Sequence, residues 1–449
     1  MQNRTKFLVL LLVVALLLPA AAITAQDDTI EIVFSHAFGD ANRQGWVESV
    51  IEAFEAEHPN IKVTAVSNPS YRDTLNGAIL AAQQGNAPHI VQVFEVGSQL
   101  ALDSGIFIPV SSIANEEQLA GLADDVIPAV RDYYSLGEDQ WSLPWNSSNA
   151  ILYYNKTIFE AAGLDPEDPP ETYGEVFEVC EVLMAQAEEL GLQGCMGWNM
   201  HSWFVEQWMA EQQAPLANNE NGRAGRATEI YLESDAMKNI FNFWKEMADR
   251  GYYIYTGALE DWNGSDALFT GQQVAMHITS TADIVNNNQA AMDAGFEMGN
   301  AFLPIPDDTE RNGVVIGGAS IWLTDGHPQE ELEAAVEFMF FLGNTENAVS
   351  WHKATGYFPI RFSAIEQLEE EGWFEENPNF RVAFDQLTQT VPGPATSGAL
   401  LGNFLELRTI IEEAAQAVVD SGVSVDEALA EANVRANESL AAYNEAVGE

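Results

Sequence analysis

The chain has 449 residues, with 68 Asp and Glu residues against 18 Lys and Arg and a formal net charge of −50. A chain of this length can form two domains, each with its own hydrophobic core. Its negative charge repels nucleic acids and anionic lipids, which excludes nucleic-acid binding and electrostatic attachment to membranes as functions.

Residues 1–25 have the pattern of an export signal peptide. Arg4 and Lys6 precede the apolar run Phe7–Leu18, and Ile23–Ala25 is a cleavage site among small residues. The run is short for crossing a bilayer, although a retained signal that acts as an anchor is the alternative. No later segment is long and apolar enough to span a membrane, and no cysteine near the cleavage site could carry a lipid. We therefore expect a soluble protein, periplasmic or extracellular.

The first third of the chain alternates strands and helices, which predicts an α/β domain with a largely parallel sheet. In chain order the predicted elements are strand Ile30–Phe38, helix Asn42–His58, strand Ile61–Val66, helix Tyr71–Gln84 and strand His89–Val96. Ligands of such sheets bind beyond the carboxyl ends of the strands. Tyr71 and Glu95 lie at such ends and are therefore candidate binding residues.

A polar cluster, Asn146–Asn149, interrupts two apolar runs that are typical of strands. Its uncharged amides and hydroxyls suit the recognition of a polar ligand at the end of a strand. A short helix is predicted over Thr157–Leu164, with Gly163 at its left-handed end. Glu171 and Thr172 then cap a helix that extends to Leu190.

The remaining elements predicted are helices Ser234–Arg250 and Glu330–Leu342, a strand over Val314–Leu323 and a mainly helical tail. Cys180 and Cys195 are the only cysteines, and in an exported protein they form either a disulfide or two buried thiols. The seven histidines are scattered without ligand spacing, so we expect no metal site and no cofactor.

Several polar residues are candidates for binding a phosphorylated polyol. The guanidinium of Arg408 can bind two phosphate oxygens, or it can pair with Glu406 or Glu412 on a helix surface. Ser148 and Ser280 follow strand-like runs, where their hydroxyls can donate to a ligand or cap a helix. The carboxylate of Glu95 can accept hydrogen bonds from ligand hydroxyls, or it can simply be solvated.

Five motifs occur in an order that resembles the solute-binding proteins of ABC importers, over about residues 30–445. They are Gly85–Pro88 with Gln92–Gly97, Asn146–Ser148 with Leu152–Lys156, Gly317–Ser320 with Trp322, Trp351–His352 with Thr355–Ile360, and Leu401–Asn403 with Arg408. Within that family the pattern is most similar to binders of glycerol-3-phosphate and glycerophosphodiesters. The alternatives are a sugar binder of the same fold, in which tryptophans stack on the sugar, and a secreted carbohydrate-active enzyme.

The resemblance implies a two-lobed α/β fold of the periplasmic-binding-protein type II, large sugar-binding class, with a hinge between the lobes. Lobe one would comprise 27–145 and 303–345, and lobe two 146–302 and 346–449. A monomer would capture the ligand between the lobes and deliver it to a membrane permease with an ATPase subunit, without catalysis. The resemblance assigns the phosphate to Ser148, Ser280, Tyr357 and Arg408, and the glycerol or head group to Tyr71, Glu95, Trp203, Gly317 and Gly318.

The chain departs from this family between Gly197 and Trp203. Glycerol-3-phosphate binders have two tryptophans here separated by two residues, whereas this chain has Trp198 and Trp203. Trp203 replaces the second tryptophan, and the first becomes Met200 or a neighbour, which would widen the pocket for a diester. The alternative is that Trp198 fills the same space.

Overall fold

The structure is a computed structural model that describes residues 29–136 and 139–448. The predicted signal peptide lies outside these residues. The strands are β1 (Ile30–His36), β2 (Ile61–Ser67), β3 (Ile90–Phe94), β4 (Phe107–Ile108), β5 (Ser135–Leu136), β6 (Asp139–Gln140), β7 (Ser142–Ser148), β8 (Ala150–Asn155), β9 (Met196–Trp198), β10 (Met276–Ser280), β11 (Met298–Ala301) and β12 (Gly317–Thr324).

Among the described residues the helices outnumber the strands. They are α1 (Ala41–Glu57), α2 (Tyr71–Gln83), α3 (Ser98–Ser104), α4 (Glu116–Asp125), α5 (Pro128–Tyr133), α6 (Lys156–Ala162), α7 (Tyr173–Met184), α8 (Ala187–Leu190), α9 (Ser202–Glu211), α10 (Asn218–Asn221), α11 (Asp235–Asp249), α12 (Trp262–Thr270), α13 (Ile284–Ala294), α14 (Gln329–Leu342), α15 (Thr345–Thr355), α16 (Phe362–Glu370), α17 (Trp373–Glu376), α18 (Val382–Thr388), α19 (Phe404–Val419) and α20 (Val425–Val447). Among the described residues, no helix combines the length and the apolar character needed to cross a bilayer.

The larger sheet has the strand order β2-β1-β3-β12-β4, and β7 also pairs with β12. Strand β1 is parallel to β2 and β3, as the alternation of strands and helices predicts. Strand β12 is antiparallel to β3, β4 and β7, so the sheet is mixed rather than uniformly parallel. Its apolar residues are buried, and Phe34 of β1 packs against Trp145 of β7.

The smaller sheet has the order β11-β8-β10-β9. Strand β8 is buried along its whole length, since it pairs with β10 and β11 and lies beneath helices. Cys180 of α7 and Cys195, next to β9, are joined by a disulfide, which decides between the two alternatives for these residues.

The interruption predicted at the polar cluster Asn146–Asn149 falls on its last residue, Asn149, between β7 and β8. Strand β7 continues through most of the cluster to Ser148 with every residue buried, although the Ser147 hydroxyl has no hydrogen-bond partner among the described residues. Gln92 donates from Nε2 to Asn146 Oδ1 at 2.9 Å, and Ser147 and Ser148 stay paired with β12. The crossing to the smaller sheet falls at Asn149, whose amide donates to the carbonyl of Ala383 at 2.8 Å.

The local signals for helix ends match the structure closely. Gly163 ends α6 with φ of 80°, and Thr172 and Glu175 form a capping box at α7. The predicted helix to Leu190 is divided into α7 and α8. Helix α15 packs on α1, where Trp46 donates from Nε1 to Ser350 Oγ at 2.8 Å. The division of the chain between two lobes stays a prediction.

Candidate ligand-binding site

A cavity of about 460 Å³ lies at the carboxyl ends of strands from both sheets. A volume of this size is typical of small-molecule sites. Strand β3 ends just before Glu95, β7 ends at Ser148, and β10 ends at Ser280. Of the nine residues assigned by resemblance, eight line the cavity: Tyr71, Glu95, Ser148, Trp203, Ser280, Gly318, Tyr357 and Arg408. Gly317 lies beside it, and a Cβ there would come within 2.6 Å of the Trp203 indole.

Arg408 is held by two buried carboxylates in the wall of the cavity. Its Nη2 donates to Glu95 Oε1 at 2.7 Å and to Glu206 Oε2 at 2.8 Å, and its Nε donates to Glu206 Oε1 at 2.8 Å. Burial opposes the charge of Arg408, but the carboxylates of Glu206 and Glu95 outweigh it and raise the pKa of the guanidinium. Burial raises the pKa of Glu95 although Arg408 opposes the shift. The pairing with Glu406 or Glu412 on a helix surface is therefore not the one that forms.

The second polar group of the cavity is built around Tyr71 and Tyr357. Their hydroxyl oxygens lie 3.3 Å apart, and Asn146 donates from Nδ2 to the Tyr71 hydroxyl at 2.8 Å. Burial raises the pKa of Tyr71 well above its ordinary value, so the phenol stays neutral. Ser280 caps the turn after β10, since its Oγ accepts from the Ala282 N–H at 3.1 Å, and it also faces the cavity. Ser280 can therefore cap this turn and face a ligand at the same time.

These contacts regroup the residues that the resemblance divides between phosphate and glycerol. Arg408, assigned to the phosphate, is bound to Glu95, assigned to the glycerol end. Tyr71, assigned to the glycerol end, contacts Tyr357, assigned to the phosphate. The cavity therefore has two polar clusters. The carboxylate–guanidinium cluster consists of Glu95, Glu206 and Arg408, and the hydroxyl cluster consists of Tyr71, Tyr357 and Ser280.

Sequence reasoning missed several residues that line the cavity. They are Arg43, Arg72, His201, Glu260, Trp262, Asp266 and Asp283. Arg43 is in the first turn of α1, directly after β1, which is the same kind of strand end that singled out Tyr71 and Glu95. The position of Trp262 depends on how α12 packs, and nothing in its sequence neighbourhood indicates it.

The tryptophan region differs from both alternatives considered for it. Trp203 lines the cavity, whereas Trp198 is 1% exposed and packs in the core against Trp208 and Tyr253. Met200 is buried as well. Trp262 borders the cavity beside Trp203, with ring centres 6.1 Å apart. An aromatic wall is therefore retained, with one of its tryptophans supplied by α12.

Two clusters among the described residues have the composition of a metal site: His201 with Glu260 and Glu412, and His89 with His327 and Glu331. His201 Nδ1 accepts from the Trp203 N–H at 3.0 Å, and His89 Nδ1 accepts from the Val33 N–H at 3.0 Å. In both rings Nδ1 is thus already used by a backbone N–H, and in His201 it is Nδ1 that lies near Glu412, 3.4 Å from Oε1. The expectation of no metal site stays a prediction.

A two-sheet α/β protein with a ligand-sized cavity lined from both sheets has the architecture of a type II solute-binding protein. The sequence profile for bacterial extracellular solute-binding proteins matches residues 49–382. The chain belongs to this family, which confirms the resemblance and the fold class. The family is one of binding proteins rather than enzymes.

Relatives with assigned ligands span almost the whole chain. The sn-glycerol-3-phosphate-binding periplasmic protein UgpB of Escherichia coli strain 536 is 31% identical over 434 residues, 95% of this chain and 96% of its own. UgpB of Salmonella typhimurium is 32% identical over 407 residues, 89% of this chain and 90% of its own.

Solved structures of this fold include binding proteins for ligands of different classes. UgpB of Mycobacterium tuberculosis with glycerophosphocholine superposes with a TM-score of 0.75 at 20% identity, covering 92% of this chain and 98% of that one. A cyclic α-maltosyl-1,6-maltose-binding protein of Arthrobacter globiformis gives a TM-score of 0.73 at 20% identity, covering 92% and 99%. These likenesses define the fold.

Proposed function

We propose that this protein captures glycerol-3-phosphate or a glycerophosphodiester, such as glycerophosphocholine, outside the cytoplasm. It would then deliver the ligand to the permease and ATPase subunits of an ABC importer, as a monomer and without catalysis. The observation that supports this most is that one cavity collects eight of the nine residues assigned by resemblance to glycerol-3-phosphate binders. The identity of 31% to UgpB over 95% of the chain supports the same ligand class.

The chemistry of the cavity suits such a ligand. Ser148, Ser280 and Tyr357 would donate hydrogen bonds to phosphate oxygens. Glu95, held in place by Arg408, would accept from glycerol hydroxyls. Because the wall includes residues from both sheets, a ligand that contacts both would stabilise a closed form through a hinge.

A neutral sugar is the second candidate, and the aromatic wall of Trp203 and Trp262 favours it. Stacking on aromatic rings is a common way to bind a sugar face, whereas a phosphate needs donors. The fold accommodates both ligand classes, since an oligosaccharide-binding protein superposes as well as a glycerophosphocholine binder does.

A thermal-shift panel separates these candidates. The mature protein is heated with glycerol-3-phosphate, glycerophosphocholine, maltose or a longer oligosaccharide, because a ligand that binds only the folded state raises the melting temperature. We expect a rise with the phosphorylated ligands. A rise with the neutral sugars alone would reject the proposal. Release of product from glycosides or phosphodiesters would show an enzyme instead.

A further inference from the structure

Arg43 projects from the start of α1 into the cavity beside the hydroxyl cluster. Its side chain is 20% exposed, and its guanidinium carbon lies 5.5 Å from the ring centre of Tyr357. Its Nη2 donates to the carbonyl of Ala282 at 2.9 Å, two residues after Ser280. Arg43 is therefore adjacent to both Ser280 and Tyr357, which the proposed function assigns to the phosphate.

The charge of Arg43 is less completely neutralised than that of Arg408. Its nearest carboxylate oxygens, of Asp40 and Asp283, both lie at 3.5 Å. Arg408 has three contacts of 2.7–2.8 Å to two carboxylates. The contacts with Ala282, Asp40 and Asp283 use at most three of the five N–H groups that a guanidinium offers. Arg43 can therefore donate to an added anion without losing its present partners.

The acids around the hydroxyl cluster make a nearby cation necessary for an anionic ligand. Asp266 and Asp283 both line the cavity there, and Asp266 pairs with His277 at 2.8 Å. A phosphate at Ser280 would face these carboxylates. Repulsion between like charges in a poorly hydrated cavity is strong, so an uncompensated phosphate would be excluded.

Resting on the proposed function, we infer that Arg43 supplies the positive charge for the ligand phosphate and favours a phosphomonoester over a phosphodiester. A monoester carries close to two negative charges at neutral pH and a diester carries one, so a cation in contact stabilises the monoester more. Arg408 stays paired with Glu95 and Glu206, and it orients the Glu95 carboxylate to accept from the ligand hydroxyls. Arg72 also lines the cavity, but its exposed side chain is screened by water.

Calorimetry on Arg43→Gln tests this inference, because glutamine keeps a donor for Ala282 and removes the charge. We expect the affinity for glycerol-3-phosphate to fall about 10-fold or more, and the affinity for glycerophosphocholine to fall less. The ratio of the two affinities should therefore decrease, and Arg43→Lys should restore part of it. The variant Arg250→Gln replaces an exposed arginine just after the C-terminal end of α11, removes one charge away from the cavity and should leave both affinities unchanged.

Equal losses for both ligands, without rescue by lysine, would show a structural role and overturn the inference. Unchanged affinities of Arg43→Gln for both ligands would also overturn the inference. A decrease of the affinity ratio in Arg72→Gln rather than in Arg43→Gln would do the same. In those cases the unmodified protein still binds phosphorylated ligands and the proposed function stands. If the unmodified protein binds neither ligand, both the function and the inference fail. Should Arg43→Gln not fold, Arg43→Met, which removes the same charge and keeps a long side chain, decides the question through the same ratio.

Discussion

Glu95 and Arg408 form a buried ion pair, with 2.7 Å between Oε1 and Nη2 across a sequence separation of 313 residues. The pair joins the end of β3 in the larger sheet to helix α19. Glu206 of α9 completes it with two further hydrogen bonds to the same guanidinium. The three short hydrogen bonds hold the guanidinium against its two carboxylates, so Arg408 orients Glu95 toward a ligand hydroxyl rather than offering its charge to a phosphate.

Replacing Arg408 with alanine should lower the free energy of unfolding by about 3–5 kcal/mol, because two buried carboxylates lose their partner. Urea unfolding measures this loss, and the double variant Arg408→Ala/Glu206→Gln should recover part of it. A loss below about 1 kcal/mol would contradict the buried pairing. The free energy of ligand binding should also become less favourable by about 2–5 kcal/mol. It should be measured under conditions in which the variant remains folded.

Glu412 should make the protein less stable as the pH rises. Burial raises the pKa of Glu412 to about 8, so the folded state holds a proton that the unfolded chain releases near pH 4.5. The free energy of unfolding therefore falls as the pH rises from about 5 to 8. Glu412→Gln keeps an acceptor for the Ser202 N–H and should stabilise the protein at pH 9 by on the order of 2 kcal/mol, with little effect at pH 4.5.

The control for Glu412 is Glu413→Gln, one position along the same helix, where the side chain is 43% exposed. It removes a carboxylate from the surface of this helix, where it pairs with Arg435, and so measures the effect of losing one acid outside the buried position. Identical melting curves for Glu412→Gln and the unmodified protein at every pH would show that Glu412 ionises normally.

Gly317→Ala should weaken ligand binding while leaving the fold intact. The added Cβ would lie 2.6 Å from the Trp203 indole, which must then move. We expect about a tenfold loss of affinity by calorimetry, the size typical of overpacking. Gly77→Ala on α2 meets no atom within 4 Å and serves as the control. Unchanged binding in Gly317→Ala would remove Trp203 from the ligand-binding wall.

Gly318 should tolerate replacement by alanine far less well than Gly317 does. Its φ is +94°, and a Cβ would lie 1.9 Å from the carbonyl oxygen of Asn146. Gly318→Ala should therefore destabilise the protein by more than about 2 kcal/mol in urea unfolding. Stability equal to that of the unmodified protein would mean that β7 and β12 are not held as closely as described.

The disulfide should stabilise the fold without contributing to binding. It closes a loop with a sequence separation of 15, for which the loss of chain entropy in the unfolded state is worth about 3 kcal/mol. The double variant Cys180→Ala/Cys195→Ala should lose about this amount and retain its ligand affinity, since neither residue lines the cavity. Reducing the disulfide in the unmodified protein should lower the free energy of unfolding by the same amount. If neither the reduction nor the double variant lowers it, the stabilising role of the disulfide is contradicted.

Local patterns predicted most of the first sheet and its helices, because periodicity and caps act within a few residues. The bounds of β1, α1, β2 and α2 agree with the predictions to within two residues. Local signals place a break in the polar cluster but not its position at Asn149, since the Gln92 partner of Asn146 is distant in sequence. Neither the bond between Glu95 and Arg408 nor the place of Trp262 follows from local signals, because both depend on how separate elements pack.

The resemblance located the cavity residues well but could not assign their partners. The resemblance assigns Arg408 to the phosphate, whereas Glu206, which pairs with it, is not in any of the five motifs. Arg43 was overlooked because it is an isolated arginine in an ordinary helix start. Its importance becomes visible only when Tyr357 and Ala282 are brought beside it by the fold.

Isothermal titration of the mature protein with glycerol-3-phosphate, glycerophosphocholine and maltose, under one set of conditions, tests the central claim most directly. The account predicts saturable binding with a stoichiometry near one for the phosphorylated ligands and no heat of binding for maltose. Saturable binding of maltose with none of glycerol-3-phosphate or glycerophosphocholine would contradict it.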